Sequence, residues 1–421
     1  MQVPHIANLT VQTVQSTLDA MRRATPLGRQ HPMAEFVSMG LPPMGDTYGP
    51  YEVTVFEYLG RLIEQQLAEL RQQCVTGWGT SGHLPPVSLA ALQQDFHVGN
   101  AELEAWSLLY HRYVRVDLDL SVKDMADLVG QPARTLNRRQ YHGMGRLVHM
   151  LLQRETQARK ERHQSVLRSQ LPAPAPAKLL GREAALRWAI AYLSRDMPSH
   201  LCVQGVAGVG KSVFALTVAL HLIQMNAIDG LVWLESPPAK PHELQTQIAH
   251  HLNFADLTPD ANLEITLHSG RVLIVLDQAD AWLNRAFLAT QPWLRSARLM
   301  LISSVKAQVP VHMGYVNLPP LDREAALQAM LAEFHIPDEQ LERFVSLFNA
   351  AFDDAQGNLK LLRKIIVEAT RAQDDGHWLS PRLAGQDNSV ITRKNLGKRL
   401  QTILTIFATG SWKRSIVSPS K

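Results

Sequence analysis

Residues 205–212 read Gly-Val-Ala-Gly-Val-Gly-Lys-Ser and satisfy the pattern G-x-x-x-x-G-K-[ST] at each fixed position. Glycine at 205, 208 and 210 lets the backbone turn tightly and bring its N–H groups against an anion. The residues expected to cradle phosphate are Gly205, Val206, Ala207, Gly208, Val209, Gly210, Lys211, Ser212 and Val213. Lys211 is suited to the outer phosphates of a nucleoside triphosphate, and the Ser212 hydroxyl to Mg²⁺. A second group lies downstream, where the apolar run Arg271-Val-Leu-Ile-Val-Leu ends in Asp277. Asp277 is the expected second Mg²⁺ ligand. Gln278 and Asp280 are the candidates for orienting an attacking water. The Gln278 amide can orient water but cannot take its proton, whereas Asp280 can ionise. Lys211, Asp277, Gln278 and Asp280 thus form the expected catalytic set, with ATP or ADP and Mg²⁺ as cofactors.

These groups work only if a fold brings them to one edge. His200–Gln204 before the glycine loop reads as a buried strand, and the apolar stretch 213–223 after it as a helix. Three further strands are expected at 230–235, 271–277 and 298–304, separated by helices near 241–252, 259–268 and 281–289. Strands alternating with helices predict a parallel sheet, and ligands of such sheets collect at the carboxyl ends of the strands. Continuous rather than alternating apolarity in 272–276 fits a strand covered on both faces. The expected fold class is therefore an α/β P-loop NTPase, a parallel sheet with flanking helices. A mostly α-helical N-terminal domain precedes it and a small helical subdomain follows the core.

A length of 421 residues predicts two or three domains. The alternating prolines of Leu171-Pro-Ala-Pro-Ala-Pro-Ala mark a semi-rigid spacer. The expected organisation is a weakly structured region 1–50 and a helical domain 51–168. A Pro/Ala linker 169–178 leads to the nucleotide-binding core 179–318, a helical subdomain 319–372 and a basic, partly disordered tail 373–421. Within the first region, 8–24 can form a helix and 39–50 reads as loop; helices are also expected near 51–73, 88–96 and 100–115. Two cysteines, Cys74 and Cys202, make no disulfide framework or zinc spacing. No signal segment or run of bilayer-spanning length is read, so the expected setting is cytoplasmic, without membrane contact.

Net charge is +4, but nine Arg/Lys against two Glu fall between Arg134 and Arg168, and eight against one Asp between His377 and Lys421. Basic blocks on an otherwise acidic chain point to a polyanion, with DNA the first candidate. The first block begins inside a second pattern. Ser121-Val-Lys-Asp124 is a helix-capping signature, Gly130 a stop, and Pro132 a start for the next helix. That next helix is expected to turn Ala133, Leu136 and Tyr141 inward and to offer Arg134, Arg138 and Arg139 outward as DNA contacts. The string 120–139 resembles bacterial helix-turn-helix segments, and Met144–Leu152 looks like the stabilising helix that often follows.

The second half of the chain resembles the signal-transduction ATPases with numerous domains (STAND), the class that includes NB-ARC proteins within the AAA-related group. The resemblance covers about residues 178–370 and rests on four segments. Leu180-Gly181-Arg182-Glu183 looks like the family's opening motif, which implies that Leu180, Gly181 and Arg182 line the adenine side of the site. Val275-Leu-Asp277-Gln278-Ala-Asp280 looks like the bacterial form of its acidic motif. Leu318-Pro-Pro-Leu321 is similar to the junction before its helical subdomain, and Gly357-Asn358-Leu-Lys-Leu-Leu362 is a looser match to its Gly-x-Pro segment. The proline of that segment is absent, and Val305, followed by Lys306, stands where the family often has arginine. The resemblance implies an ATP/ADP-binding switch with slow hydrolysis, whose nucleotide state controls assembly, including nucleotide-dependent homo-oligomers. The alternative is a DNA-remodelling helper ATPase similar to those that assist transposition or replication loading.

Overall fold

A computed structural model describes residues 9–27, 31–40, 51–74, 89–173, 179–195, 197–252, 267, 271–283, 292–305, 313–372 and 380–381. The chain folds as two compact units, residues 2–163 and 164–421.

In the first unit, α1 (Val11–Arg23) is capped by Thr10, and α2 (Tyr51–Cys74) carries Val55, Leu59, Leu62, Ile63, Leu67 and Leu70 on one buried face. Short helices α3 (Leu89–His97) and α4 (Ala101–Leu109) follow. The chain then widens into a π-helical turn at Tyr110–Val114, so the helix expected to reach 115 is α-helical only to Leu109. Residues 31–39 are drawn into the core by Glu155, whose carboxylate accepts the N–H groups of Val37 (3.0 Å) and Ser38 (2.9 Å). Met33, Phe36 and Met39 are buried with it. Asp95 is wholly buried and accepts two bonds from Arg71 (2.9 and 2.7 Å) and one from the Ser107 hydroxyl (2.6 Å). This linkage satisfies two charges that would be costly to bury alone.

The capping box at Ser121 forms with Asp124, and Gly130, at φ 65°, ends α5 (Val122–Val129). The next helix, α6, runs without a break from Ala133 to Ser169, about 55 Å at the α-helical rise. Met144–Leu152 is therefore a continuation of α6 and not a separate third helix: no proline or cap interrupts it, and Met144, Leu147 and Leu151 extend the buried stripe begun at Leu136. Ala133 and Tyr141 do not turn inward as expected; both are exposed, because that stripe passes through Leu136 and Gln140 instead.

The second unit holds β1 (His200–Gln204), β2 (Gly230–Leu234), β3 (Val272–Leu276), β4 (Arg298–Ser303) and β5 (Gly314–Asn317), all parallel, in the order β2-β3-β4-β1-β5. Strand β5 was not among the strands expected from sequence. Helices α7 (Glu183–Leu193), α8 (Lys211–Gln224) and α9 (Pro241–His251) belong to the same unit. Successive strand residues alternate faces. Leu201, Val203, Leu273 and Val275 join α8 residues such as Phe214 and Leu222 in one core. Cys202, Ile274 and Leu276 join Trp282 and Trp293 in the other. Burial of the Phe214 side chain alone contributes about 1.5–3 kcal/mol. Three helices, α10 (Arg323–Glu333), α11 (Leu341–Ala355) and α12 (Leu359–Ala372), close the unit around Phe344, Phe348, Leu362 and Ile366. Of the expected helices at 259–268 and 281–289 only residues 267 and 281–283 are described, the latter continuing a 3-10 turn at Asp280–Trp282; the loop 41–50, the linker residues 174–178 and nearly all of the tail 373–421 lie outside the described residues, as does Lys306. No helix among the described residues is long and apolar enough to cross a membrane.

Both thiols are free, but burial pushes that of Cys202 up to about 12, while Cys74 is only half-buried. The thiolate is the reactive form. A thiol reagent at pH 8 is expected to modify Cys74 in the native protein and Cys202 only at the rate at which the sheet opens. Peptide mapping after timed labelling checks this.

Candidate phosphate-binding site

The α/β P-loop NTPase core sets the glycine loop between β1 and the first turn of α8, at the carboxyl edge of the sheet. Register brings the other groups to the same level. Gln204 pairs with Ser303, and Leu276 with both Leu234 and Leu301, so Asp277 and Ser304 emerge beside the loop. The turn after β3 is sharp: Gln278 has φ 56°, and its N–H donates back to the Asp277 carboxylate (2.8 Å).

Lys211 is buried, at 8% exposure, and its ammonium donates to the carbonyls of Gly205 (2.9 Å) and Val206 (3.0 Å) and to the Ser304 hydroxyl (2.9 Å). Burial lowers its pKa, and the charges of Asp277 and Asp280 work against that shift. Asp277 is buried at 9% exposure. Asp280 is exposed but well held: Oδ1 accepts from the Ser303 hydroxyl and from the N–H groups of Ser304 (2.9 Å) and Val305 (3.4 Å). Burial opposes its charge. The Ser303 hydroxyl, these two amides and the Lys211 ammonium outweigh it and hold the carboxyl below its ordinary range.

Among the described residues, no hydrogen bond joins Ser212 to Asp277, and the Gln278 side chain has no protein partner. Ser212, Val213, Val206 and Ala207 are exposed and Val209 is buried. The opening segment borders the glycine loop. Arg182 is buried, its charge disfavoured by burial, and its Nη2 donates to the carbonyls of Val209 (3.0 Å) and Pro319 (2.8 Å). Its guanidinium thus ties the glycine loop to the segment after β5. Leu180 is half-buried, and Gly181 (φ 68°) packs against Leu321 and Ala325 of the helical subdomain.

Ser303, Ser304 and Pro319 escaped the sequence reading as site residues. The pair of serines ending a buried strand was the available signal. From the helical subdomain, Asn358 Nδ2 donates to the Ala207 carbonyl (2.7 Å) and the Lys360 N–H to the Gly208 carbonyl (3.3 Å). Gly357, at φ 75°, lies so close to the chain after β5 that an added Cβ would stand 2.5 Å from the Leu321 carbonyl oxygen. On the N-terminal unit, Arg134 and Arg138 are exposed, while Arg139 is drawn to Glu104 (2.9 Å) and is not a free cation.

A phosphate chain fits these donors. Backbone N–H groups, a buried ammonium and the start of a helix converge on one edge, the arrangement that accepts an anion. No group of three or more His, Cys, Asp or Glu with metal-binding geometry occurs among the described residues. A bare protein cage for a metal is thus not what this edge offers; a hydroxyl and a carboxylate beside a phosphate site are.

No family model matches the chain, and no curated protein matches it. Among solved structures it is similar to Drosophila ORC bound to DNA, at 15% identity and a TM-score of 0.32 over 50% of this chain and 68% of that one. It is similar to the S. cerevisiae Hsp104:casein complex at 12% and 0.32, over 48% of this chain and 38% of that one. A Walker-type ATPase of Pyrococcus abyssi matches at 15% and 0.28, over 49% and 77%. The fold stands on the sheet order and the glycine loop, not on these low likenesses.

Because the folded protein holds the Asp280 pKa down, its charge stabilises the fold above the ordinary carboxylate value, and that contribution disappears as pH falls through the lowered one. Asp280→Asn is expected to flatten the loss of unfolding temperature below about pH 4. Thermal unfolding of both proteins across the acid range checks this.

Proposed function

We propose that this protein is an ATP- and ADP-binding regulatory switch of the STAND type, with slow hydrolysis and with nucleotide state controlling its assembly. The observation that carries this reading is the Lys211 ammonium. It is buried at the carboxyl edge, bonded to its own loop and to Ser304, and faces the charges of Asp277 and Asp280. A cation so held is suited to the outer phosphates. Ser212 and Asp277 would hold Mg²⁺, which when bound neutralises charge on the phosphates. Gly208 and its neighbours supply backbone donors, and the segment 180–182 borders the same loop.

Slow turnover follows from the groups left to direct water. Gln278 is neutral, and Asp280 has committed one oxygen to three donors of the β4 edge. Neither is an unencumbered general base. The helical subdomain touches the loop through Asn358 and Lys360, so a change at the phosphates is felt where the subdomain docks. Nucleotide-dependent self-association is the expected output. Lys211→Ala should weaken ATP and ADP binding by at least about 100-fold, because it removes the one buried cation of the loop. Calorimetry on the intact chain checks this, and equal heats from both proteins refute the switch.

The exposed start of α6 supports a second role in DNA contact, which the DNA-remodelling alternative also requires. Arg134 and Arg138 have no ion-pair partner among the described residues and share a helical face with exposed Tyr141. Replacing both arginines by alanine is expected to weaken duplex binding and to lower its salt slope by about two. Arg139→Ala should act on stability through Glu104 instead. DNA titrations at several salt concentrations separate the two, and ATP-dependent oligomers that form only on DNA would favour the remodelling alternative.

A further inference from the structure

Three successive carbonyls of the glycine loop are held from outside the loop. Asn358 Nδ2 donates to Ala207 (2.7 Å), the Lys360 N–H to Gly208 (3.3 Å), and Arg182 Nη2 to Val209 (3.0 Å). In a trans peptide the C=O and the following N–H point in opposite directions, and no cis peptide occurs among the described residues. Anchoring the Ala207 and Val209 carbonyls outward therefore aims the N–H groups of Gly208 and Gly210 the other way, into the concave side of the loop. Neither N–H has a protein acceptor among the described residues. Val209, between them, closes a turn on the Val206 carbonyl (3.4 Å).

The contact is mutual. Helix α12 begins at Leu359, and the N–H groups of its first turn have no partners within the helix. Lys360 spends its N–H on the Gly208 carbonyl and Leu361 on Asn358 Oδ1 (3.2 Å), so one amide side chain caps the helix with its oxygen and holds the loop with its nitrogen. These two partners also fix which way the amide faces. Fit is close enough that a Cβ on Gly208 would stand 2.4 Å from Asn358 Oδ1.

We infer that Asn358, together with Arg182, is a positioning residue of the phosphate site: it orients the loop amides and so makes phosphate affinity depend on docking of the helical subdomain. The inference rests on the phosphate-binding reading above. It concerns the backbone of the loop and not the base of the nucleotide, so it separates phosphate from nucleoside.

Asn358→Ser tests it, because serine still caps α12 and is neutral but is too short to reach the Ala207 carbonyl. Binding of ADP, pyrophosphate and adenosine to the intact chain is measured for both proteins, with thermal unfolding alongside. The expected result is ADP and pyrophosphate binding weakened about five- to tenfold, the size of one lost hydrogen bond, with adenosine affinity and unfolding temperature unchanged. Asn358→Thr, a second capping variant, should behave alike and stands in if the serine variant does not fold. Unchanged ADP affinity in a folded variant, or an equal loss for adenosine, overturns the inference while leaving the phosphate site intact. Failure of the unsubstituted protein to bind ADP or pyrophosphate overturns the phosphate-binding reading, and this inference with it.

Discussion

A lysine ammonium taken out of water must be met by oxygen, and the arrangement of the second unit follows from that requirement at Lys211. Its partners come from separate stretches of chain: two carbonyls of its own loop and a hydroxyl beyond β4, with a carboxylate beyond β3 close enough to support its charge. They meet because β4 lies between β1 and β3. Direct pairing of β4 with β1, Gln204 opposite Ser303, is what brings Ser304 to the loop. Asp280 then secures the meeting point, since its three donors hold the end of β4 in place. Electrostatics and sheet topology are here one constraint.

What could be read from the sequence was what is local. The glycine loop, the strand before it and the acid after β3 are each written within a few consecutive residues; the strand forms as β1, and the loop and the acid fall at the carboxyl edge. Strand β5 was missed because its four residues include a glycine, a tyrosine and an asparagine, and only Val316 is buried. Ser304 and Asn358 were beyond reach for another reason: their partners lie 93 and 151 residues away. The motif resemblance did draw attention to Gly357-Asn358, but only the fold shows the bond from Asn358 to the loop backbone. The bonds of the Arg182 guanidinium to two carbonyls, 27 and 137 residues away, were likewise out of reach of local pattern.

In the first unit the legible feature was the cap-stop-start pattern of 121–132, which forms as written. Its continuation was not legible. Met144–Leu152 looked like a separate helix, yet the stretch stays within α6, because Met144 and Leu147 continue a stripe that has a core to pack against. Arg139 looked as available as Arg138 until Glu104, 35 residues earlier, came to lie beside it. Burial of Asp95 with Arg71 and Ser107 is another pairing that spacing does not announce. Polar groups inside a helical bundle are decided by what the fold brings next to them.

Gly357 holds the left-handed turn by which the helical subdomain returns toward the loop, pressed against the Leu321 carbonyl oxygen. Any side chain there would need both a disfavoured backbone and room that does not exist. Drift in this gene would thus meet a strict filter at a position far from the Lys-Ser dipeptide in sequence. Val206 within the motif and Val213 just after it, both open to solvent, would be freer to vary. Natural variation across such proteins should accordingly be narrowest at a bend that no signature pattern of the loop includes.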